Sequence, residues 1–157
     1  MKLDEYTALD GIAIADLVKK GEVSTAEVAG VAMEAIDAVN PQLNAVIETY
    51  PERVDQTPAD GPLKGVPFLL KDLVVHEGGK TNELGSRLAK GMVSPHDSEL
   101  AIRYRNSGLN ILGRTTTPEL GFCATSEALL YGASHNPWNL NHSPGGSSGG
   151  SAAMVAA

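Results

Sequence analysis

An apolar run with one charged pair inside it constrains the fold of this 157-residue chain more than any other stretch. It extends over Leu63–Val75, and its charged pair is Lys71 and Asp72. Continuous apolar runs of this kind are typical of β-strands that are buried on both faces, as in sheets covered by helices. The sequence therefore predicts a buried strand here, in a fold with several layers.

Predicted helices and strands alternate along the chain. The apolar periodicity predicts one helix over Asp10–Gly21 and a second from the capping box Ser24-x-x-Glu27 to Asn40-Pro41. The other predicted elements are, in chain order, a strand (Asn44–Tyr50), a polar connector (Pro51–Leu63), a loop (Glu77–Asp97), a helix from Asp97 or Ser98 to Arg105, and a second buried strand (Leu109–Leu112). This alternation predicts an α/β fold with a mainly parallel or mixed sheet.

Charge and composition exclude several classes of function. The chain carries 12 Lys and Arg against 19 Asp and Glu, a net charge of -7, which argues against nucleic acid and anionic membranes as partners. No apolar run approaches the roughly 18 residues of a membrane-spanning helix. The single cysteine, Cys123, cannot form an internal disulfide, and the N-terminal residues lack the pattern of a signal peptide. We therefore predict a cytoplasmic location.

Lys71 is the first candidate functional residue. An unpaired ammonium group in an apolar strand is costly, and neighbouring strand residues face opposite sides, so Asp72 is a poor partner for it. In a structural interpretation Lys71 forms a salt bridge or extends to the end of the strand. In a functional interpretation burial lowers its pKa and the neutral amine acts as a base. The residues alone support both interpretations about equally.

A Gly/Ser-rich loop over Ser143–Ser151 leads directly into an Ala-rich run of high helix propensity. It lacks the lysine of a phosphate-binding loop, and it lacks the preceding strand and following histidine of a hydrolase nucleophile elbow. A flexible linker would not lead into a helix former. Because glycine permits close backbone approach, we expect this loop to form part of a site. No helix stop follows it, so we expect the chain to be the N-terminal piece of a longer protein.

The remaining unusual residues carry weaker signals. The four histidines lack metal-ligand spacing, so we predict no metal and no cofactor; they are His76, His96, His135 and His142. Cys123 has no basic neighbour in sequence to lower its pKa and is predicted to be structural rather than nucleophilic. Trp138 is predicted to pack beneath the glycine-rich loop.

Four segments occur in an order and spacing that resemble the amidase signature family over essentially the whole chain: Lys64–Asp72, Gly113–Gly121, Gly132–Trp138 and the glycine-rich loop from Ser143. The resemblance implies an α/β fold with a mixed β-sheet surrounded by helices. It also implies hydrolysis of carboxylic amides by a triad of serine, cis-serine and lysine, with a small-molecule amide as substrate and no cofactor.

The resemblance also assigns roles to particular residues. Lys71 matches the lysine of the triad, and Ser147 matches the bridging serine that follows a cis peptide bond. Ser148 would be a neighbouring hydrogen-bond partner. By the same alignment, the backbone around Gly121 and Phe122 would line the pocket beside the acyl carbon.

The family's serine nucleophile and oxyanion donors lie beyond Ala157. The resemblance therefore implies that residues 1–157 are the N-terminal fragment of a single amidase signature domain and are inactive alone, associating with the missing C-terminal part or with another copy. Two alternatives remain: the glutamine amidotransferase subunit for misacylated tRNA, and a non-catalytic module that binds anions at a helix N-terminus. The segment Thr117-Pro-Glu-Leu resembles stand-alone amidases, including those acting on nylon-type cyclic oligoamides, more than the amidotransferase subunit.

Overall fold

The computed structural model of the protein describes residues 1–157, in which helices and short strands follow one another. The helices are α1 (Leu3–Thr7), α2 (Gly11–Lys20), α3 (Thr25–Leu43), α4 (Glu99–Asn106) and α5 (Gly149–Ala156). The strands are β1 (Val46–Thr49), β2 (Pro67–Lys71), β3 (Asn110–Thr115), β4 (Glu127–Ala128) and β5 (Gly132–Ala133). Short 3₁₀ turns cover Pro51–Arg53, Arg87–Ala89 and Glu119–Gly121.

Strands β1, β3 and β2 form a mixed sheet in that spatial order. The central strand β3 pairs antiparallel with β1 and parallel with β2, and all six of its residues are buried. Helix α4 lies in the connection between the two parallel strands, and α3 packs against both of them. These observations confirm the predicted α/β fold with a mixed sheet flanked by helices.

Side-chain caps begin the two long helices where the sequence predicts. Asp10 accepts a hydrogen bond from the backbone N–H of Ala13 at 2.8 Å, at the start of α2. Ser24 Oγ accepts one from the N–H of Glu27 at 3.1 Å, and the Glu27 carboxylate accepts the Ser24 N–H at 2.8 Å. These acceptors satisfy amide groups that have no partner within the helix. The predicted starts of both helices are confirmed.

The end of α3 differs from the prediction. The sequence predicts an end at Asn40-Pro41, but the helix continues through the proline to Leu43. The Asn40 side chain accepts the backbone N–H groups of Ala45 at 2.9 Å and Val46 at 2.8 Å, and it donates to Val46 O at 2.9 Å. These bonds stabilise the last turn and the entry into β1, which offsets the N–H that proline lacks.

Strand β2 is shorter and less buried than predicted. The predicted strand covers Leu63–Val75 and is buried on both faces, whereas β2 has five residues, of which only Leu70 is buried. The chain leaves the sheet after Lys71, where the Leu73 N–H donates back to Lys71 O at 2.7 Å. In addition, β2 lies at an edge of the three-stranded sheet. Strand β3, by contrast, extends further than the predicted Leu109–Leu112.

The apolar core lies between the N-terminal helices and the sheet. Its largest cluster of buried side chains comprises Ile14, Ala15, Val28, Val66 and Leu109. An apolar groove between α2, α3, β2 and α5 stays open, and Val155 on α5 is 90% exposed beside it. These residues therefore leave apolar surface uncovered. None of the helices has the length and apolar character needed to traverse a bilayer.

Candidate active site

Lys71 lies at the end of β2, where its side chain meets the loop that precedes α5. Its Nζ atom is 2.6 Å from Ser147 Oγ. The carboxylate of neighbouring Asp72 contacts Arg114 instead, at 2.7 Å, so it is not the partner of Lys71, as its position in the strand predicts. Burial lowers the pKa of Lys71 from its ordinary value, because desolvation disfavours the charged ammonium. A neutral amine at this distance can accept a proton from a hydroxyl group.

The loop that carries Ser147 packs tightly against two neighbouring segments. Its Gly146–Ser147 peptide bond is cis. A Cβ atom on Gly146 would lie 2.9 Å from the backbone C of Ala124, and one on Gly150 would lie 2.3 Å from Thr116 Oγ1. Contacts this short exclude a side chain. The glycines of the loop therefore permit the close approach that the sequence predicts.

Buried hydroxyl groups hold this loop in place. Thr117 Oγ1 donates to Ser147 O at 3.3 Å, and Ser126 Oγ accepts the backbone N–H of Gly149 at 3.1 Å. Both hydroxyl-bearing residues are fully buried. Neither residue has a predicted role in the sequence. The signal that could have found the first is the run Thr115–Thr117 after a buried strand, because buried hydroxyls require hydrogen-bond partners.

A buried ion cluster centred on Arg114 holds the chain just beyond β2. The guanidinium contacts three carboxylates and one phenol: Glu48 at 2.7 Å, Asp72 at 2.7 Å, Glu83 at 2.8 Å and Tyr131 at 3.1 Å. Burial disfavours the charged form, but hydrogen bonds to Glu83 and Glu48 raise the pKa of Arg114. Arg114 lies within one of the sequence motifs and has no predicted role there, because its partners come from distant parts of the chain.

Three other predicted site residues lie outside the contact between the lysine and the serine. Ser148 is exposed and its hydroxyl makes no hydrogen bond, because the side chain turns to solvent at the start of α5. The predicted hydrogen bond of Ser148 is therefore absent. Gly121 packs against Leu73, since a Cβ atom there would lie 2.5 Å from Leu73 Cδ2. Phe122 is 86% exposed. The pocket-lining roles of Gly121 and Phe122 stay predictions.

Two predictions about packing are wrong. Trp138 is 85% exposed and does not lie beneath the glycine-rich loop. Its backbone N–H donates to Asn136 Oδ1 at 3.0 Å, in a tight local turn that leaves the indole ring in solvent. Cys123 is exposed as well and has no packing role. No three His, Cys, Asp or Glu side chains are grouped so that they could hold a metal ion.

Residues 27–157 match the sequence model of the protein family described as Amidase. The chain belongs to the amidase family. The 6-aminohexanoate-cyclic-dimer hydrolase of Paenarthrobacter ureafaciens is 43% identical over 152 residues, which cover 94% of this amidase-family chain and 31% of that protein. A glutamyl-tRNA(Gln) amidotransferase subunit of Salinispora arenicola (strain CNS-205) is 37% identical over 166 residues, with 99% and 34% covered.

A solved structure of 6-aminohexanoate cyclic dimer hydrolase has the same fold over the matched residues. It superimposes with a TM-score of 0.91 at 43% identity, covering 96% of this chain and 32% of that one. The amidase-family chain therefore spans about a third of the length of the relatives that it matches. The predicted family is confirmed.

Proposed function

We propose that the whole protein hydrolyses carboxylic amides and that Lys71 and Ser147 supply the general-base part of its active site. The observation that carries the proposal is the 2.6 Å contact between Lys71 Nζ and Ser147 Oγ in a chain of the amidase family. The lowered pKa of Lys71 supports it, because a base must be neutral to accept a proton. A lysine used in this way replaces the histidine of the better-known serine hydrolases.

In the proposed reaction a serine hydroxyl attacks the carbonyl carbon of the amide. Its proton passes to Ser147 Oγ, whose own proton passes to Lys71 Nζ, and a tetrahedral intermediate forms. The C–N bond then breaks as the same two residues return a proton to the leaving nitrogen. Water, deprotonated along the same path, releases the acyl group from the serine as a carboxylic acid and restores the hydroxyl.

We place the attacking serine, and the donors that stabilise the oxyanion, outside residues 1–157. The support is the length of the relatives, of which the chain covers 31% to 34%. The chain would then be the N-terminal part of one amidase domain, with the open apolar groove beside Lys71 facing the rest of it. Residues 1–157 alone would be inactive, because they supply a base without a nucleophile. A cytoplasmic location stays a prediction.

The similarity to an amidotransferase subunit favours a second candidate function. The glutamyl-tRNA(Gln) amidotransferase subunit is 37% identical to this chain, against 43% for 6-aminohexanoate-cyclic-dimer hydrolase. Both candidates use the same amide-cleaving chemistry and differ in what receives the products. We favour a stand-alone hydrolase that acts on a small amide, because the identity is higher and because of the Thr117-Pro-Glu-Leu segment.

A fluorophosphonate probe, which labels activated serine hydroxyls, tests the proposal in the full-length protein. We expect the wild type to be labelled and Lys71→Ala to lose labelling. The matched control is Lys90→Ala, because Lys90 is an exposed lysine without a side-chain hydrogen bond. Absence of labelling and of amide hydrolysis in the wild type contradicts the proposal and favours a non-catalytic module. Glutamine-dependent amidation of a misacylated tRNA supports the second candidate.

A further inference from the structure

The segment around Ser126 contacts the loop of Ser147 on both sides of the serine. The backbone N–H of Ser126 donates to Gly145 O at 3.0 Å, and Ser126 Oγ accepts the N–H of Gly149 at 3.1 Å. The two contacted residues lie two positions before and two positions after Ser147. We propose that Ser126 is a positioning residue that fixes Ser147 opposite Lys71, an inference that rests on the proposed function.

Packing leaves the loop little freedom to move away from Ser126. A Cβ atom on Gly149 would lie 2.4 Å from Ser126 Oγ, and one on Gly146 would lie 2.9 Å from the backbone N of Thr125. Ser126 is itself fully buried, and its carbonyl oxygen accepts the N–H of Ser134 at 2.9 Å. The contact therefore joins the loop to a fixed part of the structure.

The Ser126 hydroxyl also replaces a helix cap. Ser148 occupies the N-cap position of α5, but its side chain caps no backbone amide. The Ser126 hydroxyl accepts the first N–H of the helix instead. A helix start that is held from a distant segment keeps the preceding residue, Ser147, in one position. Thr117 adds a contact to Ser147 O at 3.3 Å.

Proton transfer is sensitive to a displacement of this kind. The distance of 2.6 Å between Lys71 Nζ and Ser147 Oγ is short for a hydrogen bond, and a shift of about 1 Å in a catalytic group can lower a rate by about 100-fold. The loss of the Ser126 hydroxyl would free the loop on one side. We expect the catalytic rate constant to fall while substrate binding is kept, because Ser126 contacts the loop rather than the substrate.

Ser134 offers a matched control. It is a buried serine in the adjoining segment, 1% exposed, and its hydroxyl donates to Asn44 O at 2.8 Å. Its hydroxyl also pairs with Thr116 Oγ1 at 2.6 Å, and it contacts no residue of the Gly145–Gly149 loop. A change of either serine to alanine removes one buried hydroxyl, but only the change at Ser126 frees Ser147.

The experiment measures amide hydrolysis by full-length Ser126→Ala and Ser134→Ala, with rates corrected for the folded fraction. We expect Ser126→Ala to lower kcat by about 10- to 100-fold with KM within about threefold of the wild type. Ser134→Ala should keep kcat within about threefold. Equal effects of the two changes, or an unchanged kcat in Ser126→Ala, overturn the proposal. Ser126→Cys, whose thiol is a weak acceptor, is the substitute if the alanine variant does not fold, with a fall in kcat again expected.

Crystal structures of the same variants separate this inference from the proposed function. In Ser126→Ala we expect the distance between Lys71 Nζ and Ser147 Oγ to exceed about 3.5 Å, and in Ser134→Ala we expect the contact to persist. A retained contact in Ser126→Ala overturns the positioning role. A wild type without activity on any amide contradicts the proposed function, yet this distance still decides whether Ser126 positions Ser147.

Discussion

Lys71 Nζ and Ser147 Oγ lie 2.6 Å apart although 76 positions separate the two residues along the chain. Strand β2 carries the lysine and the loop before α5 carries the serine, and β3 links the two parts. Thr115 at the end of β3 pairs with β2 through Lys71, and its hydroxyl contacts Ser151 Oγ at 2.8 Å. The contact therefore depends on the sheet and on the start of α5 together.

The lowered pKa of Lys71 predicts the pH dependence of the reaction. Since the neutral amine is the active form, kcat/KM of the full-length protein should rise with pH through the pKa of Lys71 and then level off. Because desolvation lowers that pKa, the rise should be centred below about 10.4, the ordinary value for lysine. A pH–rate profile on an uncharged amide measures it.

Lys71→Arg provides the control for this profile. Arginine keeps its charge at every accessible pH and cannot accept a proton from Ser147. We expect the variant to lose the rising limb together with the activity. Retention of the wild-type profile in Lys71→Arg would show that another group titrates.

Arg114→Met should destabilise the protein strongly. The change leaves the carboxylates of Asp72 and Glu83 without their cationic partner in a buried position. The loss of one member of a buried ion pair costs about 3–5 kcal/mol, because the remaining charge is uncompensated. Urea denaturation of the full-length variant measures this cost as a lower midpoint.

The same substitution at Arg103 is the control for Arg114. The Arg103 side chain is 72% exposed and pairs with Glu99 at 2.9 Å, on the surface of α4. Exposed pairs contribute at most about 1 kcal/mol, so Arg103→Met should change the free energy of unfolding by no more than that. Similar costs for the two variants would mean that burial does not set the strength of the Arg114 cluster.

Local signals in the sequence predict the helices well. The capping box at Ser24 and the caps at Asp10 and Ser98 depend on residues within one turn of each other. The extent of β2 and the exposure of Trp138 depend instead on which distant segments cover them. An apolar run indicates a strand but does not show where the chain leaves the sheet, so the predicted strand is too long.

The candidate site shows the same division between local and distant information. Lys71 and the glycine-rich loop stand out because a charge in an apolar run and a dense group of glycines are unusual in themselves. Ser126 and Arg114 do not stand out, because an isolated serine and arginine are ordinary until the partners are known. Their partners lie 23 positions away for Ser126 and up to 66 positions away for Arg114.

Ser24→Ala should weaken the start of α3. The hydroxyl accepts the N–H of Glu27, and the Glu27 carboxylate bonds back to Ser24, so one substitution removes half of a reciprocal pair. Loss of a serine N-cap costs about 1 kcal/mol. Ser24→Asp keeps an acceptor and should retain most of that stability. Thermal denaturation of the full-length variants compares the two, and equal melting temperatures would contradict a capping role.

Gly150→Ala and Gly30→Ala should shift stability in opposite directions, although both glycines lie in helices. A Cβ atom on Gly150 would lie 2.6 Å from Ala45 O and 2.7 Å from Thr116 N, which are backbone atoms that cannot rotate away. We expect a loss of about 1–3 kcal/mol, since added volume in a packed site forces backbone shifts. At Gly30 no heavy atom lies within 4 Å of that position, so alanine should add about 0.5–1 kcal/mol through its higher helix propensity. Urea denaturation of the two full-length variants measures both shifts, and a stabilised Gly150→Ala would show that α5 does not pack closely on β3.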